Sequence, residues 1–165
     1  MKHIPIYKHY VFVYWYNSFI YWVFSAKVVE ASKNLQEWTL LWIKNKDIIA
    51  RQIMRIEEKK DELLVTKTAG LQRYIIMPVL SQLKEFVTKE KNTVVVTRNT
   101  KSNVVSLLKQ WNNLIEQPQL CILFVNPDAR TDQKWAVYPF THHRIADSVE
   151  KGLWALFETV EEWKE

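Results

Sequence analysis

The chain has 165 residues, of which 48% are hydrophobic and 25% are charged, a composition typical of one globular domain that excludes a disordered protein. Two glycines are too few for a glycine-rich phosphate loop, and the single cysteine, Cys121, excludes an internal disulfide and fits a reducing, cytoplasmic location. Residues 1–144 carry 21 Lys and Arg against 12 Asp and Glu (+9), whereas residues 145–165 carry 2 against 6 (−4). This basic body favours an anionic partner, nucleic acid being the usual candidate.

Residues 1–27 form an aromatic N-terminal segment unlike the rest of the chain. Tyr10 to Ala26 carries no charge over 17 positions. A transmembrane helix needs about 20 apolar residues, so this shorter run with Asn17-Ser18 at its centre is not expected to be one. A β-hairpin that turns at Asn17-Ser18 and packs on the body or on a second copy of the chain is one interpretation, and it allows a homo-oligomer. A membrane-surface segment and an extended translation start are the alternatives.

Residues 28–165 are predicted to form a single α/β domain. Apolar residues spaced three and four apart from Leu35 to Ile53 predict a helix, which the polar residues Asn45–Asp47 could interrupt. Short alternating segments follow at 54–58, 62–68 and 72–79, and Gly70 supplies a turn between the last two, which predicts a hairpin. Residues 80–91 have a helical pattern.

Two apolar runs predict the centre of the sheet. The β-branched run 93–97 and the run 120–125 are typical of buried strands, and the helical pattern between them makes the two strands parallel neighbours. Residues 135–138 predict a further strand, and Asp147 with Glu150 predicts the start of the last helix. We therefore expect an α/β fold: a mixed sheet with central parallel strands (93–97, 120–125) and helices on both faces.

The order of these elements is similar to the core of restriction-endonuclease-like domains, including Holliday-junction resolvases. Those enzymes hold a metal ion with an acid on the second strand and a Glu-x-Lys on the third. Asp61 or Glu62 matches the first acid, but Ile76 and Pro78 occupy the Glu and Lys positions. The resemblance therefore implies the fold and a nucleic-acid-binding member without the cleavage chemistry. Other three-layer α/β folds are the alternative.

Polar residues follow both central strands, in the loops 98–103 and 126–128. The carboxyl ends of parallel strands meet at one edge of an open α/β sheet, and ligands usually bind there. The first loop also opens a helix, whose free N–H groups favour an anion. The ligand-binding residues expected at this edge are Arg98, Asn99, Lys101, Asn126, Trp135 and Arg144.

His142 and His143 are the residues best suited to proton transfer, and Asp128 could orient one of the rings. This enzyme hypothesis requires a histidine near the turn at 126–128. No nucleophile elbow or zinc spacing is present, so we expect no metal and no cofactor. The favoured function is binding of an anionic ligand, such as nucleic acid, without a complete catalytic set. The alternatives are a small hydrolase or transferase-type enzyme that uses His142 or His143, and a structural homo-oligomer.

Overall fold

The computed structural model describes residues 35–80, 83 and 92–164, which all belong to one compact unit that extends from Asn34 to Glu165. The aromatic N-terminal segment and most of the predicted helix 80–91 lie outside the described residues. The described helices are α1 (Leu35–Ala50), α2 (Lys101–Leu114), α3 (Pro139–Ile145) and α4 (Val149–Phe157). The described strands are β1 (Ile53–Lys59), β2 (Glu62–Lys67), β3 (Gly70–Ile76), β4 (Asn92–Arg98), β5 (Leu120–Val125) and β6 (Lys134–Val137).

The six strands form one mixed sheet in the order β1-β2-β3-β4-β5-β6. Strands β1 to β3 are antiparallel neighbours, β3 to β5 are parallel, and β6 returns antiparallel to β5. The predicted central strands are confirmed, with Val95 opposite Ile122 in the register of β4 and β5. The predicted hairpin at Gly70 is also confirmed, and the glycine has a φ of +126°, which a residue with a side chain rarely adopts.

Side chains alternate between the two faces of the sheet, and each face is covered by helices. On one face, Val95, Ile122 and Phe124 pack against α2 and α4. On the other face, which we call the α1 face, Val94 and Leu123 belong to a second core cluster with Leu35, Trp38 and Ile43 of α1. The prediction of helices on both faces is therefore confirmed.

Helix α1 continues without a break to Ala50, so the expected interruption at residues 45–47 is wrong. The chain leaves the helix at Arg51, which has a φ of 49°. The Asp47 carboxylate accepts hydrogen bonds from the N–H groups of Gln52 (2.8 Å) and Ile53 (3.0 Å). Asp47 therefore satisfies the backbone that follows the helix.

The region after β6 contains a helix that the sequence analysis did not predict. Residues 142–144 lie in this short helix, α3, and Pro139 stands in its first turn, where the fixed φ of proline suits a helix. The last helix is capped by Ser148, whose Oγ accepts from the Lys151 N–H at 3.4 Å, and not by Asp147. After α4 the chain continues through residues 158–164, which we call the C-terminal segment.

Candidate functional site

The C-terminal segment covers the carboxyl ends of β4 and β5, where a ligand crevice was expected. Asn99 is fully buried, with an exposed fraction of 0%. Its Nδ2 donates to the Val160 carbonyl at 2.8 Å, and its Oδ1 accepts from Trp135 Nε1 at 2.8 Å. At the surface, Lys101 Nζ lies 3.8 Å from a carboxylate oxygen of Glu162. These contacts give Asn99 and Trp135 a structural role.

The neighbouring polar residues hold the same segment. Asn126 is 5% exposed, and its Nδ2 donates to the Glu161 carbonyl at 3.3 Å. Asp128 Oδ2 accepts from Trp163 Nε1 at 2.8 Å, and the Arg98 guanidinium lies 3.8 Å from the centre of the Trp163 ring. The structure therefore brings the predicted residues of this edge together, but they contact the protein's own C-terminal segment. Those residues are Arg98, Asn99, Lys101, Asn126, Asp128 and Trp135.

Residues 142–144 lie at the opposite edge of the sheet. Because β6 is antiparallel to β5, Lys134 begins beside the carboxyl end of β5 and α3 follows the far end of β6. Four strand residues separate the two edges by about 13 Å. The Tyr138 N–H donates to His142 Nδ1 at 2.9 Å, His143 is exposed, and the Arg144 guanidinium lies 4.5 Å from the centre of the Phe140 ring. The enzyme hypothesis requires a histidine beside the turn at 126–128, and the order of the strands places both histidines at the other end of β6.

A cleft of about 520 Å³ lies on the α1 face and extends from the amino ends of the parallel strands to Leu123 of β5 and Lys134 of β6. Trp42 and Lys46 of α1 form one wall, and side chains of β3, β4 and β5 form the floor. Tyr138, which follows β6, also lines it. The cleft therefore lies on the α1 face of the sheet, away from the loops 98–103 and 126–128 that the sequence indicated.

Three lysines from three elements converge on this cleft: Lys46 from α1, Lys67 from β2 and Lys134 from β6. The lining residues that the structure describes include no Asp and no Glu. The cleft is therefore a concentrated patch of positive charge with low-dielectric walls, which focuses its field on an anion.

Lys67 has the most constrained of the three ammonium groups. Its Nζ donates to Gln72 Oε1 at 2.6 Å, and the Tyr74 hydroxyl donates to the same oxygen at 2.9 Å. Burial lowers the pKa of Lys67, the positive charge of Lys46 acts in the same direction, and the Asp47 carboxylate opposes both. The charged form of Lys67 is therefore less stable in the folded protein than in water, and a bound anion would offset this destabilisation.

Aromatic rings form the side of the cleft nearest to the core. Trp42 stacks on Trp38 with ring centres 6.0 Å apart and planes 13° apart, and Tyr74 meets Trp42 edge-on at 6.4 Å. Lys46 Nζ and Lys134 Nζ each lie 5.4 Å from the centre of the Trp42 ring. Trp42 thus joins the hydrophobic core to the basic cleft.

The other titratable groups that line the cleft are Cys121, Tyr74 and Tyr138, and all three are protonated at neutral pH. Burial raises the pKa of the Cys121 thiol, while its hydrogen bond with Tyr138 and the charge of Lys46 act in the opposite direction. Burial raises the pKa of Tyr74 to about 12, and the pKa of Tyr138 is raised chiefly by Cys121. The thiol is therefore protonated at neutral pH and lacks the activation that a cysteine nucleophile needs.

No protein-family model, curated protein or solved structure matches this chain. The likeness to restriction-endonuclease-like domains accordingly rests on the order of elements alone. Glu62, a candidate for the first acid, forms an ion pair with Arg73 of β3. Arg73 is on the same face of β3 as Ile75, which belongs to the core cluster on the side of the sheet away from α1. Asp61 is exposed in the β1–β2 turn.

Among the described residues, no group of three or more His, Cys, Asp and Glu side chains is arranged to hold a metal ion. Within the same part of the chain, no helix has the length and apolar character needed to cross a membrane.

The cleft residues were not singled out by sequence reasoning. Lys46, Lys67 and Lys134 stand far apart in the chain, and each has ordinary polar neighbours. Their only signal was the excess of nine positive charges in residues 1–144, which indicates an anionic partner without locating it.

Proposed function

We propose that the protein binds an anionic ligand, such as nucleic acid, in the cleft between α1 and the sheet, without a complete catalytic set. The observation that carries this proposal is the convergence of Lys46, Lys67 and Lys134 in a cleft whose described lining has no carboxylate. Ammonium groups form their strongest hydrogen bonds with phosphate and carboxylate oxygens. The proposed function keeps the predicted ligand class and moves its site to the cleft on the α1 face.

The electrostatics of Lys67 supports binding of an anion. Its pKa is lowered by burial and by the charge of Lys46, because the two ammonium groups repel each other. An anion between them would replace this repulsion by attraction and raise the pKa of Lys67. Binding should therefore be accompanied by proton uptake at alkaline pH.

The chemistry of the other cleft residues supports binding over catalysis. The Cys121 thiol and the Tyr74 and Tyr138 hydroxyls have raised pKa values, so at neutral pH they are protonated and can donate hydrogen bonds to a ligand. A cytoplasmic location, which fits the single cysteine, belongs to the same proposal.

Titration calorimetry with tripolyphosphate at low salt tests the proposal. The double variant Lys46→Gln/Lys67→Gln removes two cleft charges. Since a hydrogen bond to a charged group contributes about 1.5–3 kcal/mol, we expect its affinity to fall at least about 10-fold. The affinity of the unaltered protein should also fall steeply as salt is added.

The matched control is Lys59→Gln/Lys109→Gln, which removes the same net charge from two exposed lysines, one at the end of β1 and one on α2. It should bind tripolyphosphate within about 2-fold of the unaltered protein, because exposed charges that do not touch the ligand act on it only weakly through water of high dielectric constant. Equal losses in both double variants would assign the effect to net charge and refute the cleft as the site. No binding by the unaltered protein would refute the function.

A further inference from the structure

Trp42 stands at the boundary between the core and the cleft and gives the basic site a planar wall. It is partly buried and stacks on Trp38, whose exposed fraction is only 4%. The ammonium groups of Lys46 and Lys134 lie 5.4 Å from its ring centre. A wall of this kind suits a ligand that is both planar and anionic, because nucleic-acid bases stack on aromatic side chains while lysines hold phosphates.

Side-chain amides lie at the rim of the same cleft. Asn92 begins β4 and Gln119 precedes β5, and both side chains are exposed. An amide carries a donor and an acceptor side by side, which is the pattern that the edge of a nucleobase also presents. The volume of about 520 Å³ is within the range of about 300–1,000 Å³ for sites that enclose one small molecule.

We infer that the anion is a nucleoside phosphate whose base stacks on Trp42, with its phosphate held by Lys46 and Lys67 and the edge of its base at Asn92 and Gln119. This inference rests on the proposed anion-binding function and specifies its ligand. The same chemistry is offered by a free nucleotide and by the unpaired end of a nucleic-acid strand. The experiment therefore separates these two sources.

Titration calorimetry on the full chain compares AMP with ribose 5-phosphate, which has the same phosphate and sugar but no base. Because stacking on an aromatic side chain strengthens binding of a base by about 10- to 100-fold, AMP should bind tighter than ribose 5-phosphate by that factor. Lys46→Gln/Lys67→Gln should weaken both ligands. The comparison within the unaltered protein does not depend on any variant.

Replacing Trp42 tests the position of the base. Trp42→Leu should reduce the preference for AMP over ribose 5-phosphate to within about 2-fold. Since Trp42 also packs on Trp38, Trp42→Phe is the second variant, which keeps a ring and should keep a reduced preference. Trp163→Leu, in the C-terminal segment, is the matched control and should keep the full preference.

The third arm compares AMP with a short single-stranded oligoadenylate and with a closed hairpin duplex. Tighter binding of the single strand identifies a strand end as the source, and equal or tighter binding of AMP identifies a free nucleotide. Tighter binding of the duplex than of either, or equal binding of AMP and ribose 5-phosphate, overturns the inference. If ribose 5-phosphate still binds in a lysine-dependent way, the proposed function stands. If neither ribose 5-phosphate nor tripolyphosphate binds, that function fails as well.

Discussion

Replacement of Asn99 by alanine should release the C-terminal segment from the edge of the sheet. The change leaves the Val160 carbonyl and Trp135 Nε1, each bonded to Asn99 at 2.8 Å, without their partner. A buried polar group that loses its partner costs about 1–3 kcal/mol, so we expect the free energy of unfolding to fall by about 2–5 kcal/mol. This loss is large beside the total of about 5–15 kcal/mol that is usual for a domain.

Urea unfolding followed by far-UV circular dichroism measures this change as a lower midpoint with an unchanged slope. Hydrogen exchange should locate it, because the Trp163 N–H, bonded to the Asn99 carbonyl at 2.8 Å, should exchange faster. Asn113→Ala, at an exposed position of α2, is the control and should change stability by no more than about 0.5 kcal/mol. A loss for Asn99→Ala as small as that of the control would refute the role assigned to this amide.

Two further predictions concern α1 and the cleft. Asp47→Ala removes the acceptor for two backbone N–H groups after α1, so the free energy of unfolding in urea should fall by about 1 kcal/mol, as for other lost caps, and an unchanged midpoint would contradict this. Because the pKa of Lys67 is lowered, tripolyphosphate affinity measured by calorimetry should decline as pH rises through that lowered value, and Lys67→Gln should lack this decline. Over the window between the lowered and the ordinary pKa, the unfolded chain holds more protons than the folded one, so the stability of the ligand-free protein should rise with pH. A decline in affinity that is the same in both proteins would assign it to another group.

The central strands could be predicted because their burial on both faces is recorded in their composition. Val95 and Ile122 are fully buried from opposite strands of one register, and both runs consist almost entirely of apolar or β-branched residues. The polar residues 45–47 of α1 misled the prediction, because they lie on partly or fully exposed positions of a continuous helix. Pro139 was the available signal for α3, since proline favours the first turn of a helix.

The location of the cleft could not be predicted, because it depends on contacts between distant parts of the chain. Lys46 and Lys134 are 88 residues apart in the numbering, yet both approach the Trp42 ring to 5.4 Å. The pattern of α1 marks Trp42 as an apolar position but does not show that it lies at the boundary of the core. Only the crossing of α1 over the sheet brings these side chains together.

The polar residues at the carboxyl edge show why the rule for ligand sites in open α/β sheets predicted a crevice where the C-terminal segment lies. Buried Asn99 and Asn126 need partners, and a ligand is one way to supply them. The C-terminal segment is another, because its backbone carbonyls lie outside helices and strands and require donors of their own. The asparagine amides and the carbonyls of the C-terminal segment are hydrogen-bonded to each other, so the buried polar residues that suggested a ligand have their partners within the chain. In the cleft on the α1 face, Lys67 donates to Gln72 Oε1 and Lys134 donates to the Asp132 carbonyl. Both acceptors are neutral, and the described residues that line the cleft include no carboxylate, so the positive charge there favours an anion.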